Sequence, residues 1–307
     1  MGFSKAYNSA LRRFLKKTFH IWDNLGFHAI PIHFYEPTPD LKNLDKDLWN
    51  KKNELIGIDI NEEGQLNLLE IFGTKYKNEY DNFPKKRTGI PYQYYTHNTS
   101  FSSINGEILY CMIRHFKPKK ILEIGSGNST LVSAQAILKN RQENFEGELV
   151  AIEPYPRKIL KDGFPGLSKL IRKNLQEVPL SEFESLQEND ILFIDSSHML
   201  KIGSDVQYEY LEILPRLNKG VIVHIHDIFL PAEYPKDWIM NQHYFWNEQY
   251  LLQSFMAFNN SFEVLWASNY MHLNHPEKLV SISDSYKDYS KKRNWTGPSS
   301  FWIRKIN

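Results

Sequence analysis

Two stretches of this 307-residue chain end apolar runs in acids that stand beside imidazoles. Ile191-Leu192-Phe193-Ile194 leads into Asp195, Ser196, Ser197 and His198, and Val221-Ile222-Val223-His224-Ile225-His226 ends in Asp227. As neighbouring parallel strands, about 4.8 Å apart, they would bring Asp195 and Asp227 together at one sheet edge. Carboxylates so placed repel, and a bound cation is the usual relief. Asp195, His226 and Asp227 are therefore the candidate metal ligands, with His198 as a further imidazole nearby. Oxygen and imidazole donors suit Mg²⁺, Mn²⁺, Fe²⁺ or Zn²⁺. An unperturbed imidazole titrates near neutrality, which makes His198 and His226, together with Asp227, the candidate catalytic groups. Strand alternation puts His224 on the same face as His226 but deeper, where a structural role suits it.

A second motif precedes these. Ile121-Leu122-Glu123-Ile124 runs into Gly125-Ser126-Gly127, with Ser129 and Thr130 placed to cap a following helix. Glycines let backbone approach a ligand closely, and a helix N-terminus offers free N–H groups. A dinucleotide fingerprint would want a third glycine where Thr130 stands. Glu123, two residues before the first glycine, suits a ligand that carries an ammonium group. The next apolar run, Leu149-Val150-Ala151-Ile152, ends in Glu153, placed to accept from both hydroxyls of a ribose. Asn174 and Gln176 follow a third run, where an adenine edge would be read. In order, these residues describe a nucleoside site with a cation close by, the shape of S-adenosylmethionine.

The elements that must position this chemistry alternate along the middle of the chain. Strands are expected at Lys120–Gly125, Leu149–Glu153, Lys169–Arg172, Asp190–Asp195 and Gly220–Asp227, separated by helical patterns, as in βαβ units on a parallel sheet. A helix opened by Asn61-Glu62-Glu63, an aromatic helix from Trp246 to Phe255, and strands at Phe262–Ser268 and Ser300–Ile306 complete the expected framework. At the N-terminus, Lys5, Arg12, Arg13, Lys16 and Lys17 occur with no acid before Asp23, and Tyr7, Leu11, Phe14, Leu15 and Phe19 recur at helical spacing. Such a helix packs on its own protein or a partner subunit, giving a homo-oligomer, or lies on an anionic membrane surface.

Composition narrows the classes. The net charge of +1, from 37 basic and 36 acidic residues, demotes a nucleic-acid-binding role. One cysteine, Cys111, excludes a disulfide framework and fits a reducing, cytoplasmic compartment. No run of about eighteen apolar residues predicts a transmembrane segment.

The Glu123-Ile124-Gly125-Ser126-Gly127 motif with Glu153 after the second strand resembles the class I S-adenosylmethionine-dependent methyltransferases, over about residues 101–227. The resemblance implies an α/β, Rossmann-like doubly wound sheet of seven strands with the last antiparallel, here Ser300–Arg304. It implies that Glu123, Gly125, Ser126 and Gly127 hold the methionine end, Glu153 the ribose and Gln176 the adenine, with Asp195 at the cofactor's edge. The pattern is also similar to the metal-dependent sugar O-methyltransferases and the cephalosporin-hydroxylase-like group, which carry an Asp-Ser-x-His-like element and then an acidic pair. His226-Asp227 departs from that pair.

On this basis residues 1–105 are expected as an N-terminal helical or cap extension and residues 106–307 as the methyltransferase domain, with a substrate-cap insertion near 270–298. The acceptor expected is a sugar or another small hydroxylated molecule. Aromatic and polar residues around Phe27–Glu36 make His33 and Tyr35 the candidate substrate contacts. Two alternatives remain from the residues: a non-heme iron oxygenase-like enzyme built on His198, His226 and one aspartate, and a non-catalytic binding module.

Overall fold

Runs that are apolar at nearly every position become strands buried on both faces, because helices cover a parallel sheet on each side. In the computed structural model, which describes residues 2–292 and 295–307, seven strands form: β1 (Lys120–Ile124), β2 (Glu148–Ile152), β3 (Lys169–Ile171), β4 (Ile191–Ile194), β5 (Ile222–Ile225), β6 (Phe262–Ala267) and β7 (Phe301–Lys305). They lie in one sheet in the order β3-β2-β1-β4-β5-β7-β6. Neighbours among β1 to β5 pair parallel, and β7 runs antiparallel between β5 and β6. This is the doubly wound α/β sheet with an inserted antiparallel last strand that the sequence leads one to expect.

The strand order reverses at β1, which has β2 on one side and β4 on the other. Ligands of open α/β sheets sit in the crevice outside the carboxyl ends of the strands at such a point. Register carries the site to this edge: Ile194 pairs with Ile225, and the His226 amide donates to the Ile194 carbonyl at 2.9 Å. The helix Asn105–Phe116 is buried from Asn105 to Arg114 and packs under the sheet with Asn128–Gln142.

The chain divides into two units, Met1–Asn50 with Lys236–Phe245, and Lys51–Pro235 with Trp246–Asn307. The first contains the helices Gly2–Lys17 and Phe19–Asn24; Met1 and the side chains of Lys5 and Tyr7 lie outside the described residues. Residues 51–105, grouped from sequence with the extension, fold within the second unit. Their helix Glu62–Lys75 is capped by the Asn61 side chain, which accepts from the Gly64 amide. The segment expected as an insertion forms three short helices, Ser268–Asn274, Pro276–Ile282 and Asp284–Tyr289; its residues 293–294 lie outside the described residues. Because β6 and β5 run the same way, this segment leaves and re-enters the sheet at the carboxyl edge. It is held there by Tyr80, whose hydroxyl donates to Ile282, and by a buried cluster of Glu107 with Ser103, Ser283 and Ser285.

Candidate active site at the carboxyl edge

The turn after β1 is built from backbone. Gly125 adopts φ +73°, and a Cβ there would come within 1.9 Å of the Asp195 carbonyl oxygen, so only glycine fits between the ends of β1 and β4. Gly127 precedes the helix Asn128–Gln142, and its amide donates to Thr130 Oγ1 at 3.0 Å. A Cβ on Gly127 would meet no protein atom within 4 Å, so this stretch of backbone stays open to a ligand. Glu123 lies fully buried beneath the turn, where its carboxylate accepts from Ser129 Oγ at 2.5 Å and Thr130 Oγ1 at 3.0 Å. Burial raises its pKa to about 8 against those hydrogen bonds, and its Oε2 has no partner.

Beside the turn lies a cavity of about 400 Å³ whose wall includes Gly125, Glu153, Asn174, Gln176, Asp195 and Lys201. The size is that of a small-ligand site. Glu153 accepts from the Ser126 amide at 3.3 Å and the Tyr155 amide at 2.8 Å. Each carboxylate oxygen keeps a further lone pair for a ligand hydroxyl. Gln176 crosses to the Gly203 carbonyl, donating at 2.8 Å.

The turns after β4 and β5 are built from charge. One oxygen of Asp195, one of Asp227 and a ring nitrogen of His198 lie within 4.8 Å of one another, a group able to hold a metal ion. His198 Nε2 stands 3.3 Å from Asp195 Oδ1 and 3.7 Å from Asp227 Oδ2. Its Nδ1 pairs with Glu248 Oε2 at 2.8 Å, and the Trp246 ring packs against the imidazole at 4.4 Å. A carboxylate on Nδ1 fixes ring orientation and leaves Nε2 for a ligand. The sequence expectation placed His226 in the metal set; the geometry assembles His198 there, with His226 Nε2 at 3.5 Å from Asp227 Oδ1 and its Nδ1 unpartnered. His224 is buried and stacks on Phe193 at 4.0 Å.

Electrostatics follow from this packing. Burial works against a charged His198, yet hydrogen bonds to Asp195 and Glu248 and the nearby Asp227 hold its pKa well above the usual value. Burial likewise opposes ionisation of Asp195, but the charges of His226 and His198 and the His198 hydrogen bond keep it below the usual range. Burial raises Glu248. Both His198 (φ +58°) and Asp227 (φ +53°) occupy the left-handed region. Non-glycine residues there are strained, and such strain collects at functional sites. Ser299 Oγ donates to Asp227 Oδ1 at 2.9 Å, so the returning end of the inserted segment touches the cluster.

A family model described as a methyltransferase domain matches residues 122–228, the stretch that carries the glycine turn, Glu153, Asp195 and Asp227. Over that stretch the chain is similar to a methyltransferase domain. A relative from Archaeoglobus fulgidus, named as an uncharacterized protein, is 35% identical over 168 residues, covering 52% of this chain and 75% of the relative. Among solved structures, the apo form of CmcI-N160 is 11% identical with TM-score 0.37, covering 68% of this chain and 74% of its own. An O-methyltransferase from Bacillus cereus in complex with SAH is 13% identical with TM-score 0.38, covering 80% and 92%.

Of the residues expected from sequence, Gly125, Glu153, Gln176 and Asp195 meet at the cavity, and Asp195, His198, His226 and Asp227 meet beside it, sharing Asp195. The half-buried His33 and the exposed Tyr35 lie in the first unit, their rings 5.3 Å apart. Glu248, which pairs with His198, does not stand out from sequence beyond its place in the helix expected from Trp246 to Phe255. An acid in the first turn of the helix Glu248–Met256 reads as a partner of the helix dipole, and nothing local points to an imidazole fifty positions away.

Proposed function

We propose that the protein transfers the methyl group of S-adenosylmethionine to a hydroxyl of a sugar or another small hydroxylated acceptor, with a divalent ion held by Asp195, His198 and Asp227. The observation that carries this reading is the adjacency of a nucleoside-sized cavity and a two-carboxylate, one-imidazole cluster that share Asp195. Glu153 would take the ribose hydroxyls, Gln176 the adenine, and the backbone of Gly125, Ser126 and Gly127 the methionine end. Glu123 holds the turn from below.

S-adenosylmethionine, when bound, supplies an electrophilic methyl on a sulfonium. The chain then has to orient an acceptor oxygen, exclude water and receive a proton. The donor set fits a divalent ion, since Glu248 leaves His198 Nε2 facing two carboxylates, and such an ion would lower the pKa of a coordinated hydroxyl. Without an ion, a charged His198 balances the two aspartates. His226, 3.5 Å from Asp227, is the group left to accept the proton. The inserted segment, whose returning end leads into Ser299 on Asp227, is the proposed acceptor contact. A cytoplasmic location belongs to this reading, given the single buried Cys111. The glycine turn and Glu153 beside the cavity, which an oxygenase would not require, favour methyl transfer over the oxygenase alternative.

The test is incubation with methyl-labelled S-adenosylmethionine and a panel of hydroxylated acceptors, with and without a chelator, read by mass spectrometry. Label transfer that stops with chelator and returns with added ion is expected. Transfer indifferent to chelator removes the metal, and oxygen consumption dependent on iron replaces the reaction class.

A further inference from the structure

The first unit carries a surface that methyl transfer does not use. In the helix Gly2–Lys17, Leu11, Phe14 and Leu15, with the positions of Phe3 and Tyr7, fall within an arc of roughly 120° at 3.6 residues per turn. The positions of Lys5, Arg12, Arg13, Lys16 and Lys17 fall within an arc of roughly 140° on the other side. The apolar side is only partly covered: Leu15 is half-buried, while Phe14 is 55% exposed and Leu11 39%. Ile21, Leu25 and Phe27, which follow in the same unit, are more than half exposed as well. Arg12 stands 3.6 Å from Glu36, and Arg13, Lys16 and Lys17 have no acidic partner among the described residues.

We infer that the helix Gly2–Lys17 lies in the plane of an anionic lipid surface, with Leu11, Phe14 and Leu15 in the headgroup–acyl boundary and the cations on lipid phosphates. Segregated apolar and basic faces are the signature of an interfacial helix, and the long stems of Lys and Arg let their charges reach the phosphates from beside the apolar strip. Charge selects this occupant. A second copy docked on the same face would bring two five-cation helices together, whereas an anionic surface gains with each Lys or Arg it meets. No helix among the described residues is long and apolar enough to cross a membrane, so the contact lies on the surface.

The full-length protein is floated with phosphatidylcholine vesicles and with vesicles containing about one-third phosphatidylglycerol. Recovery with the anionic vesicles alone is expected, lost between about 0.05 M and 0.5 M salt as the screening length shrinks. Partitioning falls at least tenfold in Leu11→Ser/Phe14→Ser and in Arg13→Glu/Lys16→Glu/Lys17→Glu. Thermal unfolding of each variant reports its fold, and the salt response of the unaltered protein decides the matter if a variant fails to fold. Equal recovery with both vesicle types, or none with either, overturns the inference. A dimer in sedimentation that dissociates in Leu11→Ser/Phe14→Ser, without vesicle binding, assigns the face to a second copy instead.

Discussion

The turns after β1 and β2 shape their ligand space with backbone, while the turns after β4 and β5 crowd theirs with charge. On the first side, Gly125 is forced by the Asp195 carbonyl, and Glu153 is satisfied by two amides before any ligand arrives. On the second, two aspartates, Glu248 and His198 meet within hydrogen-bonding or ion-pairing distance, and two of the four sit on strained backbone. The first side is preorganised for a neutral nucleoside. The second holds an electrostatic imbalance that a proton or a cation must settle. Binding and chemistry should therefore separate cleanly by mutation.

The largest effect that would sharpen this contrast is expected from Asp227→Asn. It keeps the shape and removes a charge beside His226, so turnover should fall about a hundredfold or more, the scale of a lost general base. S-adenosylmethionine affinity by calorimetry should barely move; a matching loss of affinity would merge the two sides into one. Next, Glu248→Gln releases the His198 ring, and the affinity for Mg²⁺ or Mn²⁺ should weaken by about 10–100-fold, as for other outer partners of metal-bound histidines. Metal titration with unchanged affinity would leave Glu248 a packing residue. Glu153→Ala should weaken S-adenosylmethionine binding by about 1–3 kcal/mol, the cost of unpairing a buried polar group, with turnover at saturating cofactor largely kept. Unchanged binding in calorimetry would remove the ribose assignment.

The smallest effect concerns Glu123, whose pKa is raised from 4.5 to about 8 by burial. A raised carboxyl contributes stability that is complete below pH 4.5 and lost as pH climbs through about 8. Glu123→Gln still accepts from Ser129 and Thr130 but cannot ionise. The melting temperature of the unaltered protein should drop more steeply between about pH 5 and pH 8 than that of the variant. Parallel melting curves across that range would mean that the buried carboxyl does not titrate there.

The sheet was legible in the sequence because burial on both faces demands unbroken apolar runs. Each of the seven expected strands appears within about two residues of its expected ends. The geometry beside the cavity was legible for a related reason: a glycine where a strand turns into a helix, and an acid at a strand end, are both local signals. The charged side was legible only in part. His198 follows two serines in a loop without periodicity, and its aim is set by φ +58° and by Glu248, neither of which a local pattern announces. The contacts that join residues 51–105 to the sheet unit, such as Tyr80 with Ile282, span some two hundred positions, which no local pattern announces.

The left-handed backbone at His198 and Asp227 has a consequence for engineering. Glycine or asparagine tolerates that conformation at lower cost, so a screen that rewards heat resistance alone would favour replacing these two residues early. The survivors would be sturdier and inert. Stability and turnover are thus set against each other at two named positions, and any thermostable variant of this protein should be sought with both held fixed.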